Sequence, residues 1–388
     1  VRIDLPGVGP YELREPARWS PAERPATSRI AYAAAHVVAD PLGDNTPGSP
    51  AVVDWDATLR FRRHLWSHGL RVADAMDTAQ RNMGLDWAAT RELIRRSAAE
   101  ARAYGDPAAL VSCGAGTDHR PDAGDLDAIT AAYAEQIETV QDTGAGVIIM
   151  ASRQLARVAS GPADYHQVYG KLFGLAGRPV ILHWLGEMFD PQLAGYWGSR
   201  DVDAATESFL ELVHAHAAMV DGVKVSLLDE EHEVRLRAAL PEGVKLYTGD
   251  DFNYPSLIRS GSHALLGIFD AIAPAAAAAL RVLDEAEAAP DAAERDRLLA
   301  AYDEILAPTV PLSRKIFEAP TYHYKTGIVF LSWLNGHQDA FAMVNGAQSA
   351  RSLVHLAEVF ALADQAGLLA DQELAVRRMK ALLAVNGL

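Results

Sequence analysis

The reading turns on Val220-Asp221-Gly222-Val223-Lys224-Val225, followed after a polar stretch of helical length by Val244-Lys245-Leu246-Tyr247-Thr248. Two short β-branched runs flanking an amphipathic segment are the pattern of a βαβ unit, in which a crossover helix joins parallel strands. The alternation continues in both directions. Further runs occupy 30–38, 72–76, 109–113, 146–150 and 179–183 upstream and 264–269 downstream. Segments between them, such as 87–103, 126–142 and 204–218, carry apolar residues at helical spacing. Eight runs of this kind predict an α/β fold, a closed (β/α)8 TIM barrel, whose usual size is roughly 250 residues. A doubly wound open sheet is the alternative, but no Gly-x-Gly-x-x-Gly turn follows the first run to support a dinucleotide site.

Strand signals stop after Phe269, and residues 271–388 are rich in Ala, Leu, Glu and Arg, including the alanine run 275–279. The expected organisation is an N-terminal extension over 1–28, the barrel over 29–280 and a helical extension over 281–388. The acidic stretch 284–297 reads as a solvated helix face. Residues 1–28, with their prolines and glycines around Tyr11, read as an extension packing on the barrel or on a neighbouring subunit.

Composition narrows the partners. The chain has 388 residues, 49% hydrophobic, enough for a large core. With 35 basic against 51 acidic residues it carries a net charge of −16, which argues against a nucleic-acid backbone or an anionic membrane surface. Cys113 is the only cysteine, which excludes an intrachain disulfide and a Cys-cluster zinc site. No stretch reaches the ~18 apolar residues of a membrane span, and no basic segment leads into an apolar run at the start. The expectation is a cytoplasmic protein acting on a small molecule.

In a barrel the pocket is built at the C-terminal ends of the strands. Lys224 stands among β-branched neighbours near such an end. Burial there disfavours the ammonium and frees the amine as a Schiff-base nucleophile; a lysine that snorkels to solvent is the other reading. Asp250 and Asp251 follow the next strand in a Gly-Asp-Asp turn at the same face, although that sequence is also ordinary turn chemistry. His214 and His216 are two apart and share no helix face, so they make no metal site. Cys113 reads as a small buried hydrophobe, and the Tyr322–Lys325 cluster as a packed interface.

Gly222-Val223-Lys224, then Thr248-Gly249-Asp250-Asp251, then Gly261-Ser262-His263-Ala264-Leu265-Leu266-Gly267 and Pro274, resemble the dihydrodipicolinate synthase and N-acetylneuraminate lyase family of class I lyases. Members pair a G-[IV]-K strand with an [ST]-G-[DN]-D turn and a G-A-x-G-x-I-S strand. Upstream, Gly177-Arg178-Pro179-Val180-Ile181-Leu182-His183-Trp184 looks like the family's fifth strand, which puts His183 where a proton-shuttling tyrosine stands. The stretch from Gly144 to Arg153 is similar to the fourth strand, with Ser152 and Arg153 at a frequent tyrosine pair. Met76-Asp77-Thr78-Ala79-Gln80 falls where the family writes G-T-T-G-E, the loop that holds a substrate carboxylate, and Met188 falls near its carboxylate-binding arginine. Phe317-Glu318-Ala319-Pro320 and Lys325 are similar to the F-x-E-P segment of its helical domain.

The resemblance implies a homo-oligomeric lyase or aldolase, free of cofactor, in which Lys224 forms an imine with a 2-oxo acid or keto-sugar. His183 acts as its acid and base, since an imidazole near its ordinary pKa moves protons at neutral pH. The expected ligand contacts are Asp77, Thr78, Arg153, Trp184, Glu187, Tyr247, Asp250, Asp251 and Asn253, a polar set suited to a polyhydroxylated ligand. The rewritten loop and Met188 point away from the family's usual recognition of pyruvate. Two other classes compete. His183, Glu187 and Asp250 would converge in a divalent-metal-dependent isomerase, epimerase or aldolase, and a barrel retained for binding alone would have no turnover. A glycoside hydrolase, needing opposed carboxylates, has only Asp250 and Glu187 to offer.

Overall fold

The computed structural model describes residues 1–388 apart from Arg18 and Glu23. Strands β1 (Arg2–Leu5) and β2 (Gly9–Glu12) pair as an antiparallel hairpin. Eight strands follow: β3 (Ala31–Ala34), β4 (Arg71–Asp74), β5 (Val111–Ala115), β6 (Gly146–Ile149), β7 (Val180–Leu185), β8 (Val220–Ser226), β9 (Lys245–Thr248) and β10 (His263–Leu266). They close a barrel in the order β10-β3-β4-β5-β6-β7-β8-β9. Each falls on one of the eight runs read from the sequence, and the α/β barrel is the observed fold.

Strand ends differ where local chemistry intervenes. The first run reached residue 38, yet β3 stops at Ala34, because the backbone beyond it is held by side chains. The His36 amide donates to Asp270 Oδ2 at 2.8 Å and the Val38 amide to Thr58 Oγ1 at 3.0 Å. The last run reached residue 269, but β10 ends at Leu266 and gives way to the one-turn helix Ile268–Ala271.

Helices Trp87–Ala101, Leu126–Gln141 and Val202–Ala215 occupy the amphipathic segments, each opened by an aspartate whose carboxylate accepts a first-turn amide: Asp86, Asp125 and Asp201. Asp54, Asp106, Asp229, Asp291 and Asp371 cap five more helices in the same way. Part of the acidic surplus is therefore helix capping. The acidic stretch 284–297 is accordingly not one solvated face. Helix Ala273–Glu287 ends, Asp291 starts a second helix, Ala292–Leu306, and Asp284 is spent accepting the amides of Thr27 and Ser28.

The chain divides into two compact units. One comprises Val1–Leu70, Thr78–Leu85 and Gly267–Leu388. Its centre is helix Tyr324–Leu334, buried along its whole length. The other comprises Arg71–Asp77 and Asp86–Leu266 and includes β4 to β10. Among the described residues no helix is long and apolar enough to cross a membrane.

Within the second unit, side chains alternate between the two faces of each strand, and register partners on parallel neighbours share a face. His183 on β7 is the partner of Lys224 on β8, and Lys224 that of Tyr247 on β9. Trp184 lies one step from His183 and so faces the opposite way, packing edge-on against Phe209 of helix Val202–Ala215 with ring centroids 5.3 Å apart. His183, Lys224 and Tyr247 face the barrel interior.

Candidate active site

Lys224 sits two residues before the C-terminal end of β8 and is 6% exposed. Its surroundings differ from those of the other five lysines. Lys171, Lys245 and Lys315 are ion-paired with Asp127, Asp221 and the Glu318/Glu358 pair, Lys325 donates to the Tyr322 carbonyl, and Lys380 is exposed. Lys224 is buried with no hydrogen bond or ion pair to its Nζ among the described residues. Burial pushes its ammonium below the ordinary lysine value of 10.5, and the charges of Asp77 and Asp251 pull part of the way back.

Two neighbours flank this lysine. Gly249 follows β9, and a Cβ there would lie 2.7 Å from the Val225 carbonyl oxygen and 3.0 Å from Lys224 Cε. The absent side chain leaves space for the lysine stem. On the other flank His183 is buried, with Nε2 3.3 Å from Ser226 Oγ and with Nδ1 lacking a hydrogen-bond partner among the described residues. Burial first, and the Lys224 charge second, hold the imidazole well below its ordinary range. It is neutral at physiological pH, which corrects the expectation of an imidazole poised near its unperturbed pKa.

The adjacent aspartates have separate jobs. Asp250 Oδ1 accepts the amides of Phe252 and Asn253 at 2.8 and 2.9 Å, and Oδ2 accepts Asn253 Nδ2 at 2.9 Å. Asp250 and Asn253 close the turn on each other. Asp251, buried at 3% exposure, is the one whose charge acts on Lys224. A similar division separates Asp77, which acts on Lys224, from Thr78, whose Oγ1 lies 2.8 Å from the Tyr324 hydroxyl. Tyr324 in turn stacks on Phe317, so the Tyr322–Lys325 cluster packs as its sequence suggested.

Several expected ligand contacts lie elsewhere. Trp184 faces outward, its alternation with His183 leaving no other choice. Glu187 is exposed in the loop after β7, where with Trp184, Met188, Tyr196 and Arg200 it lines an open cleft. Arg153 Nε is held by Asp190 Oδ2 at 2.6 Å. Tyr247 does face inward, but its hydroxyl donates to Asp221 at the start of β8, toward the barrel floor. Its ring takes the space beside Gly222, where a Cβ would come within 2.5 Å of Cε2. With these four accounted for, the polar set invoked for a polyhydroxylated ligand is not assembled around Lys224. Nor do His183, Glu187 and Asp250 converge: no three His, Cys, Asp or Glu side chains among the described residues are arranged to hold a metal ion.

Two groups escaped the sequence reading. Ser226 closes β8, two residues beyond Lys224 and hence on its face, a signal that period-two alternation offers. Glu233, in the charged run that opens helix Glu230–Ala239, is 1% exposed, accepting from Thr248 Oγ1 at 2.9 Å and from Ser262 Oγ at 3.0 Å. Burial pushes its carboxyl up to about 8. No local sequence signal marks it.

Comparison with solved structures places the fold. The chain superposes on the 4-hydroxy-tetrahydrodipicolinate synthase of Methylacidiphilum fumariolicum SolV with a TM-score of 0.65 at 13% identity, covering 92% of this chain and 99% of that one. A putative dihydrodipicolinate synthetase from Pseudomonas aeruginosa gives 0.62 at 16% identity over 87% and 100% of the two chains. The chloride-inhibited dihydrodipicolinate synthase of Acinetobacter baumannii, complexed with pyruvate, gives 0.62 at 14% over 88% and 100%. Such identities establish a shared fold. No curated protein matches the sequence. A family model does, over residues 5–388, and on that match the chain belongs to the family described as protein of unknown function (DUF993).

Proposed function

We propose that the protein is a class I lyase or aldolase in which Lys224 forms a Schiff base with a small carbonyl substrate. The observation that carries this reading is the isolation of Lys224: an amine taken from water, unpaired, on the inner face of a barrel strand near its C-terminal end. Such a site raises the fraction of free amine at neutral pH. The synthases that share the fold, and the sequence resemblance around Gly222–Lys224 and Thr248–Asp251, support the same class.

In the proposed reaction the Nζ lone pair attacks the carbonyl carbon, the carbonyl oxygen gains a proton, and the carbinolamine loses that oxygen as water after a second proton transfer. The resulting iminium accepts the electron pair of a neighbouring C–C or C–H bond, giving an enamine and releasing a carbonyl fragment or a proton. Neutral His183, linked to Ser226, serves as the group that passes protons at Lys224, and Asp77 and Asp251 offset the iminium charge. No cofactor is needed, and homo-oligomeric assembly belongs to the same reading.

Enamine formation exchanges hydrogens on the carbon next to the carbonyl, so NMR in D2O is the test. The proposal expects exchange at the α-carbon of an accepted ketone, persistence of that exchange after exhaustive chelation, and its loss in a folded Lys224→Met variant. Exchange abolished by chelator and insensitive to Lys224→Met would replace this reading with the metal-dependent one. Absence of exchange with any carbonyl would favour a binding barrel.

A further inference from the structure

Glu233 is the buried acid of helix Glu230–Ala239, and both its oxygens are taken up by neighbours from other elements. Oε2 accepts from Thr248 Oγ1 at 2.9 Å, and Oε1 from Ser262 Oγ at 3.0 Å. Each hydroxyl is itself an acceptor: Thr248 Oγ1 takes the Asp250 amide at 3.1 Å, and Ser262 Oγ takes Arg237 Nη1 at 2.7 Å. An amide or guanidinium N–H can only donate, so each hydroxyl accepts there and turns its single proton on Glu233. The network thus asks Glu233 for two acceptors and no donor.

The segment held in this way bears on Lys224. Thr248 ends β9 as the register partner of Val225, and Gly249 donates its amide to the Val225 carbonyl at 2.8 Å. The Gly249 backbone runs so close to the lysine stem that a Cβ there would lie 3.0 Å from Lys224 Cε, and nearer still to Ser226 Oγ. Resting on the imine reading, we propose that Glu233 is a positioning residue: through Thr248 it holds Gly249 against Lys224 and so fixes where the amine meets the carbonyl carbon. Protonation breaks the pattern. An acid O–H on Glu233 either finds no acceptor or displaces a hydroxyl proton, and the network loses one hydrogen bond. Burial, with the Asp250 charge in the turn after β9, favours the acid; the Thr248 and Ser262 bonds, with Arg237 on its own helix, favour the carboxylate, for a midpoint of about 8.

The test is the rate at which borohydride fixes pyruvate or hydroxyacetone to the protein, read by intact mass on both sides of that midpoint. It compares wild type with Glu233→Gln and Thr248→Val, each checked for folding by circular dichroism. Glutamine keeps one acceptor and sets an NH2 donor in place of the other oxygen, the pattern of the acid. Valine keeps the shape of Thr248 and the Glu233 charge while cutting the link. Dividing the wild-type rate by the variant rate at each pH cancels the reagent's own pH dependence. For each variant this ratio should rise with pH by about fivefold, the factor one hydrogen bond is worth, and the double variant should be no slower than the slower single one. A ratio flat with pH makes Glu233 merely structural and overturns the proposal. So does a Thr248→Val variant that traps like wild type, since the charge would then act without the link. If Glu233→Gln does not fold, the Thr248→Val ratio decides alone. Adducts on wild type with these results leave the imine reading intact; no adduct from either compound at any pH removes that reading and this inference with it.

Discussion

Lys224 and His183 are register partners on neighbouring parallel strands, side by side on the inner face of the barrel; burial lowers the pKa of both, and the Lys224 charge lowers that of His183 further. An imidazolium next to an ammonium, with both groups buried, is the one combination this pair avoids. The working state is accordingly neutral His183 beside a lysine that gives up its proton more readily than one in water.

Imine formation requires free amine, so the pH profile of borohydride trapping should rise to a plateau through a midpoint below 10.5. Because Asp77 and Asp251 favour the ammonium, Asp77→Asn or Asp251→Asn should move the midpoint lower still. Linkage gives the sign for stability: a depressed lysine contributes stability that is present above its unfolded value and lost as pH falls through the folded one. Lys224→Met, which removes the buried cation, should leave Tm unchanged or raised at neutral pH.

Glu233 titrates in the opposite sense. Its carboxyl is raised from 4.5 to about 8, so its favourable contribution is complete below the unfolded value and is lost as pH rises through the folded one. Each pK unit is worth about 1.4 kcal/mol, and the group is almost wholly buried. Denaturant unfolding should therefore show stability falling between about pH 5 and pH 8, by several times that amount. Glu233→Gln, which keeps an acceptor for Thr248 and Ser262 without the charge, should flatten the profile.

Gly249→Ala tests the space allotted to the lysine. The added methyl would meet the Val225 carbonyl and the Lys224 stem. Trapping should slow by roughly tenfold or more while the far-ultraviolet spectrum stays that of the barrel. Gly174→Ala, in a helix and with nothing within 4 Å of the new methyl, is the control. It should leave trapping unchanged and, by the helix propensity of alanine, be neutral or stabilising by about 0.5–1 kcal/mol.

The two aspartates of the Gly-Asp-Asp turn should separate in the same way. Asp250→Ala leaves the Phe252 and Asn253 donors without their acceptor and is expected to cost about 1–3 kcal/mol in urea unfolding. Asp251→Asn, which removes a charge acting on Lys224, should show its effect in trapping.

Legibility followed the physics of each signal. The eight strands were readable because a parallel strand buried on both faces is a run of apolar residues, and a crossover helix is amphipathic at its own period. Lys224 was readable because it interrupts such a run. Trp184, Tyr247 and Arg153 went astray for one reason: being near a strand end in sequence does not say which way a side chain points or which partner claims it. Alternation alone would have turned Trp184 outward once His183 was placed inward. The partners of Tyr247 and Arg153, Asp221 and Asp190, are one strand and one loop away, a pairing that no local pattern records. Glu233 was hidden in an acidic run because its partners, Thr248 and Ser262, come from the next strand and the turn before β10.

If one amine among the six lysines carries the chemistry, peptide mapping after borohydride reduction will single it out. Protein incubated with neutral and anionic ketones, reduced and digested, should carry its adduct on the peptide containing Lys224. The same treatment of Lys224→Met should yield none. Label spread over exposed lysines such as Lys380, at equal levels in wild type and variant, would rule out a dedicated Schiff-base lysine.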